Sequence, residues 1–358
     1  MFDHYLLPVR TAVLLFPTVA LAIVIPAAVI AYRGRGRAGG WTTVVFYTFV
    51  FYLLAAFMQT VIPLPADPQE VCRTSTYAAH PQLRPFYFLD DIAAQGTAAL
   101  WPTLLNVALL FPLGVYLRYL WKRGLAATTL IALGTSLFFE TTQLTGLWFV
   151  YPCPYRQFNV DDLMCNTAGA VLGWLIAGPV IRILPRIDRQ GERARWAGRV
   201  TFTRRALAYV TDLIGWAIAV TLTLGVLVLV HVAVPDGLLV AVGAGVGLLW
   251  FWIVPALTGA TVGKHLVLLT LVGTGGRRAG AGALLLRYAI LLSPLWLTWL
   301  GFLGGGGETL QWLLLAAVIV AWVWSPLAAL VRKDHLAPYE RLTATRNEAR
   351  ITSAGPLP

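Results

Sequence analysis

The sequence predicts an all-α membrane protein of about nine transmembrane helices in two bundles, five plus four. Three observations predict it. Hydrophobic residues make up 58% of the 358 residues and charged residues only 12%, about half the charged share of a soluble domain; mean hydropathy is +0.72. Apolar runs recur at the roughly 20 residues that a helix needs to cross hydrocarbon. Basic residues fall at alternate ends of those runs. The same composition excludes disorder, because so much apolar side chain cannot stay in water. Three cysteines are too few for a secreted disulfide scaffold.

The runs read in order as 11–32, 41–62, 100–118, 125–147, 161–183, 207–232, 238–258, 284–303 and 309–331. Pro17 and Pro26 should kink the first helix rather than end it. That run lacks a basic start and continues to Tyr32 before a basic stop. It therefore does not read as a cleaved signal peptide, although Ala20-Leu21-Ala22 resembles a cleavage site in mid-run. Tyr32, Trp41, Trp101, Tyr119, Trp121, Trp148 and Tyr151 cluster near run ends, as an interfacial aromatic belt does. With Arg33, Arg35 and Arg37 placed inside, 23 of the 27 Lys and Arg residues fall on the inner side. Arg10, Arg73, Arg84 and Arg156 remain outside. The positive-inside rule then puts the N-terminus outside and the C-terminus in the cytoplasm. The net charge of +11 is explained by attraction of short juxtamembrane loops to anionic inner-leaflet lipids. The bilayer is the expected partner, and nucleic acid is not.

The Arg-rich stretch 184–205 reads as a cytoplasmic linker. It separates a first domain, 1–183, with long outer loops 63–99 and 148–160, from a second, 206–346. Within the second, 259–283 is an inner segment whose Thr270–Val272 and Gly273–Gly276 read as a short strand and turn, or as an interfacial segment. The chain after about 336 reads as polar and loose, ending in a tail at 347–358. No internal repeat of the kind that builds many transporters is visible. Cys72 and Cys153 both fall in outer loops, on the oxidising side, and are expected to pair. Cys165, inside a span, reads as a small packing residue.

Ionisable side chains inside spans are costly and are functional candidates by default. Glu140 lies roughly 22 Å along its helix from Leu125 at 1.5 Å per residue, towards the outer leaflet. Gln143 and Ser136 share its face. Asp161 and Asp162 open the next span, Asn166 follows Asp162 by one turn, and Gly169 and Gly173 continue a face that another helix can approach closely. Asn106 enters its own span from the same side. Asn106, Ser136, Glu140, Gln143, Asp161, Asp162 and Asn166 are therefore expected to converge in a polar pocket open to the outside. The alternative is a set of interhelical hydrogen bonds worth about 0.6–2 kcal/mol each. That suits Asn106 and Ser136, but suits Glu140 less well, because a carboxyl needs a cation, a proton or water. In the second half Asp212 lies seven residues beyond Arg205, roughly 10 Å deeper on a similar face. Arg205 or Arg287 is expected to pair with it, either to fix helix register or for ion coupling.

Three blocks resemble the VanZ-like family and cover about residues 40–185: Asn106-Val-Ala-Leu-Leu-Phe-Pro-Leu-Gly114, Ser136-Leu-Phe-Phe-Glu140-Thr-Thr-Gln143 and Asn159-Val-Asp-Asp162-Leu-Met-Cys-Asn166-Thr-Ala-Gly169. Asn159 stands where relatives often carry Asp. The resemblance implies an integral membrane protein associated with low-level resistance to glycopeptides such as teicoplanin, and supplies no reaction. Residues 200–346 resemble the RDD family through Arg205-Ala-Leu-Ala208-Tyr-Val-Thr-Asp212, Thr261-Val-Gly263-Lys264 with Arg287, and a degenerate closing block in which Glu340 keeps a charge but Tyr339 replaces a histidine. This resemblance implies a multi-pass module, with ion transport suggested for some members.

The five histidines are scattered, and no Cys-x-x-Cys or His-Glu-x-x-His spacing occurs, so no metal site and no cofactor are expected. Gly259–His265 resembles a phosphate loop but is one residue short and lacks the Ser/Thr that holds magnesium. The leading expectation is a non-enzymatic envelope protein of the cell membrane. Its pocket and 63–99 loop, with an acidic rim of Asp67, Glu70, Asp90, Asp91, Asp161 and Asp162, would engage cell-wall lipid or a glycopeptide. An ion-coupled transporter using Glu140 and Asp212 is second. An intramembrane enzyme acting on lipid head groups is third, because no nucleophile or metal set is recognisable.

Overall fold

The computed structural model describes residues 3–62, 67–74, 80–293, 309, 312, 313, 316 and 336–350. The chain is mostly helical. Seven helices among the described residues are long and apolar enough to cross a membrane: Leu7–Arg35, Trp41–Val61, Thr97–Tyr119, Leu125–Leu144, Val160–Val180, Phe202–Leu229 and Asp236–Thr258. The expected eighth span, 284–303, begins in an apolar helix Ala281–Leu291, and its remainder from 294 lies outside the described residues. The ninth, 309–331, lies almost wholly outside them.

The chain forms two compact units. The first comprises Met1–Ile23 and Gly39–Ile187, and the second Val24–Ala38 and Asp188–Pro358. The expected division assigned all of 1–183 to one domain. The end of the first helix instead belongs with the second unit, because Tyr32 packs with Ala208, Val267 and Leu269 and its hydroxyl lies 3.1 Å from Thr203 Oγ1.

The first unit takes the start of α1 (Asp3–Arg35), then α2 (Trp41–Val61), α3 (Pro68–Thr74), α4 (Tyr87–Gln95), α5 (Thr97–Tyr119), α6 (Leu125–Leu144), a one-turn α7 (Gly146–Phe149) and α8 (Val160–Val180). Its centre is the seam between α5 and α8. A Cβ added to Gly169 would sit 1.9 Å from the Val107 carbonyl oxygen, and one on Gly114 would sit 1.8 Å from that of Ala170. Only hydrogen at these positions lets the two backbones touch. Lipid tails are as apolar as leucine, so close packing rather than burial from water holds such a pair together. Leu110, Leu113, Leu117, Ala132, Phe139 and Ala170 fill the space around it.

At the α8 N-terminus the loops are tied together. The Gln82 N–H donates to the Phe158 carbonyl (2.8 Å) and the Val160 N–H to that of Gln82 (3.0 Å). Cys72 and Cys153 are joined in a disulfide, with Cα atoms 5.5 Å apart. Cys165 is buried and free. After α6 the backbone takes positive φ at Gly146, Leu147, Trp148 and Phe149 in succession, a conformation that costs roughly 1–2 kcal/mol per non-glycine residue. The Thr145 hydroxyl holds this turn by accepting the Trp148 N–H (3.1 Å).

The second unit contains α9 (Arg189–Trp196), α10 (Phe202–Leu229) and α11 (Asp236–Leu248), which continues through a π-turn into α12 (Val254–Thr258). After these come α13 (Val262–Leu266), β1 (Leu269–Gly273), α14 (Ala281–Leu291), α15 (Pro338–Leu342) and β2 (Thr345–Ala349). Three expectations are corrected here. The protein is not all-α, because β1 and β2 pair antiparallel from Leu269↔Ala349 to Gly273↔Thr345. The chain after 336 is not loose up to 349, because that ladder and a buried Glu340 fasten it. The segment 184–205 is more than a linker. It carries α9, N-capped by Asp188, and it includes Arg204. Arg204 is buried and donates to four carbonyls, those of Val267 (2.7 Å), Ala197 (3.0 Å), Arg199 (2.9 Å) and Leu268 (2.9 Å).

Candidate functional site

Helices α5, α6 and α8 carry the polar residues of the first unit, and helical spacing sets them in two layers. The layer nearer the α8 N-terminus holds Asn106, Glu140 and Asp162, where Asn106 Nδ2 donates to Asp162 Oδ1 (2.6 Å). One turn deeper, Asn166 Nδ2 donates to Ser136 Oγ (2.9 Å). Gln143 turns away towards α2, where its Nε2 donates to the Thr60 carbonyl (2.9 Å); its work is to lock α6 on α2. The expected pocket open to the outside is corrected in part: Glu140 is 3% exposed and Asn166 2%, and Ser136 and Gln143 are also buried. Only Asn106 and Asp162 are half-buried.

Glu140 sits at the start of α8. Its Oε2 accepts the backbone N–H of Asn159 (3.0 Å), so the positive end of that helix faces the carboxylate. Asn159 is the N-cap, its side chain accepting the Asp161 N–H (2.9 Å). A neutral amide performs this capping as well as an aspartate. Asp162 and Arg156 both act electrostatically on Glu140, and Arg156 acts on Asp162 as well. Next to Arg156, burial pushes the Tyr155 phenol up from its ordinary value, and the arginine opposes that shift.

The donors in this centre are few. Asn159 serves one oxygen of Glu140 and Asn106 one oxygen of Asp162; the other two carboxylate oxygens accept no hydrogen bond from a described residue. Asn166 Oδ1 is buried with no hydrogen-bond partner. Three acceptor oxygens along the α6–α8 seam thus lack donors. An arrangement of this kind suits a cation, an ammonium group or a proton; of the three oxygens, that of Asn166 is buried and unpaired, which costs about 1–3 kcal/mol.

Asp161 does not join them. It is buried on the loop side, where it accepts the N–H groups of Phe86 (2.6 Å) and Phe88 (2.8 Å) and the Gln82 amide (3.3 Å). It anchors the 80–88 segment. The expected acidic rim is also largely spent within its own loop. Glu70 pairs with Arg73 (2.5 Å) and Asp90 with Arg84 (3.1 Å), and Asp67 caps α3.

In the second unit the expected ion pair to Asp212 is corrected. Asp212 accepts from the Thr261 hydroxyl (2.5 Å), the Gly263 N–H (2.7 Å) and Trp250 Nε1 (3.1 Å), and from neither arginine. Arg205 and Arg287 both close on Glu340, each at 3.0 Å. The reason is topological: α15 delivers Glu340 between the two guanidinium groups, while α13 delivers backbone and hydroxyl donors to Asp212. No group of three or more His, Cys, Asp or Glu side chains that could hold a metal ion occurs among the described residues.

Arg156, Asn159 and Glu340 belong to these sites although the sequence assigned them no site role; Asn159 and Glu340 stood out only within the family-like blocks. A capping position two residues before Asp161 was the available signal for Asn159. The charged residue retained in an otherwise degenerate block was the signal for Glu340. Nothing local marked Arg156.

Residues 49–182 match the family model described as VanZ/LLP1. The matched stretch contains α5, α6 and α8 and every residue of the polar centre. No curated protein and no solved structure matches the chain.

Proposed function

We propose that the protein is a multi-pass cell-membrane envelope protein whose first unit binds a cationic, ammonium-bearing group of cell-wall lipid or of a glycopeptide, and so contributes to teicoplanin-type resistance. The observation that carries this reading is the donor-poor seam: Glu140, Asp162 and Asn166 each present an acceptor oxygen that no described residue serves. The match of residues 49–182 to VanZ/LLP1 supports the link to resistance. The basic-residue asymmetry of the loops supports placing this end of the helices outside the cell. The second half, on its RDD-like blocks, is an accessory membrane module; ion coupling through Asp212 finds no support, because three donors already use that carboxylate.

The test is teicoplanin susceptibility of cells expressing the wild type, Glu140→Gln or Asp162→Asn, with membrane abundance measured in parallel. Resistance is expected to fall to the level of cells without the protein while abundance stays near wild type. Full resistance in both variants would contradict the reading.

A further inference from the structure

The turn after α1 docks on α9 in the second unit, outside the matched stretch. Arg35, the last residue of α1, pairs with Glu192 (3.1 Å). Gly36 follows with φ +75°, and a Cβ there would sit 2.5 Å from the Ala197 nitrogen. Ala38 and Val200 both pack against the cluster built on Tyr32. These contacts lay residues 35–38 along residues 192–200. They bring two guanidinium groups to one ring: the Cζ atoms of Arg37 and Arg199 lie 5.0 and 4.9 Å from the centre of the Trp196 indole. The two cations are therefore no farther apart than about 10 Å, a Debye length at 0.1 M salt.

The surroundings are poor in negative charge. Residues 33–37 and 188–199 carry seven arginines against two acids, and both acids are committed, Glu192 to Arg35 and Asp188 to the α9 N-cap. The Arg199 side chain is exposed and Trp196 half-buried; neither that guanidinium nor the indole N–H donates a hydrogen bond to a described residue. The cluster also lies where hydrocarbon ends. Leu7–Arg35 and Phe202–Leu229 are both long and apolar enough to cross a membrane, so Arg37 lies two residues past one span and Arg199 three before the next. Phe202 is 42% exposed and offers an acyl chain an apolar surface at the start of that second span. Tryptophan is enriched at this level of a membrane protein.

We propose that Arg37, Trp196 and Arg199 hold the phosphodiester of one anionic phospholipid at this end of the bilayer. Guanidinium groups give phosphate oxygens parallel charge-assisted bonds, and the indole N–H adds a donor that has no acceptor capacity of its own. Charge decides the class of lipid: a zwitterionic head group would bring an ammonium for which the two segments hold no uncommitted carboxylate. Position decides the source: an indole and an exposed phenyl ring at span ends meet the interface and the acyl chain of a lipid, which a free phosphate lacks. This seat goes beyond the general attraction of basic loops to an anionic surface, because it belongs to three particular side chains.

The test is native mass spectrometry of the full chain in detergent, titrated with phosphatidylglycerol or phosphatidylcholine. One phosphatidylglycerol per chain is expected to be retained at concentrations that load no phosphatidylcholine. Arg199→Gln and Arg37→Gln should each weaken retention about fivefold or more, the worth of one basic residue at a lipid surface. Trp196→Phe, which keeps an aromatic ring and removes the N–H, should weaken it less. Arg277→Gln, which removes an exposed cation of the same unit past the end of β1, should leave it unchanged. An equal loss in Arg277→Gln would leave only diffuse attraction and overturn the proposal. So would equal retention of the two lipids, or retention that the Arg37 and Arg199 substitutions leave unchanged. Displacement of the lipid by excess glycerol phosphate would show a site for soluble anions and overturn the lipid assignment.

Discussion

Glu140 and Glu340 are both buried carboxylates, 3% and 1% exposed, yet they are held in opposite ways. Glu340 receives four donors, two of them guanidinium groups, from α10, α14, β2 and its own helix's N-cap Ala337. Glu140 receives one backbone N–H and the field of a helix N-terminus. Burial alone therefore does not tell the two carboxylates apart. The supply of donors differs: Glu340 joins α10, α14 and β2 into one unit, whereas Glu140 presents an oxygen that no described residue serves, as the proposed ligand role requires.

Substitutions put this contrast to the test. The largest effect should come from the scaffold that sets the first centre. Gly169→Val drives its Cβ and two methyls into the Val107 carbonyl, 1.9 Å from the Cβ position. The α5–α8 seam has no slack, since packed interiors absorb overpacking only by backbone shifts. Membrane accumulation should drop roughly tenfold or more, as expected for a loss of several kcal/mol, read by quantitative immunoblotting of membranes. Next comes Glu340→Gln, which leaves Arg205 and Arg287 facing a neutral amide. Removing one partner of a buried ion pair costs about 3–5 kcal/mol. Thermal unfolding of the purified protein should show it as a clear fall in midpoint, and an unchanged midpoint would erase the distinction drawn here.

Local spacing made the polar centre legible in the sequence. Asp162 and Asn166 lie one turn apart on one helix, and Ser136 and Glu140 one turn apart on the next, so two adjacent helices were bound to present matching layers. The same logic misled at Asp161. It lies next to Asp162, but i and i+1 do not share a helix face, and its partners Phe86 and Phe88 come from a distant loop. Asp212 was misassigned because its arginine candidates were chosen by helical proximity for Arg205 and by a shared sequence block for Arg287. Glu340, 135 residues beyond Arg205 in the chain, competes for both. A short strand at Thr270–Val272 was one of two readings of that segment, but its pairing with β2 was illegible for a similar reason. Thr345–Ala349 alternates polar residues with no apolar face, and its partner strand lies far back in the chain, from Leu269 opposite Ala349 to Gly273 opposite Thr345. Contacts set by helical period can be read from one segment; contacts set by where a loop returns cannot.

The most direct test is the unfolding midpoint of Glu140→Gln beside that of the wild type, in one detergent and without ligand. If Glu140 holds its charge for a ligand, neutralising it removes a desolvated charge that one N–H serves, and the midpoint should stay or rise. A fall as deep as that of Glu340→Gln would show that Glu140 holds the bundle together, and the binding role would be lost.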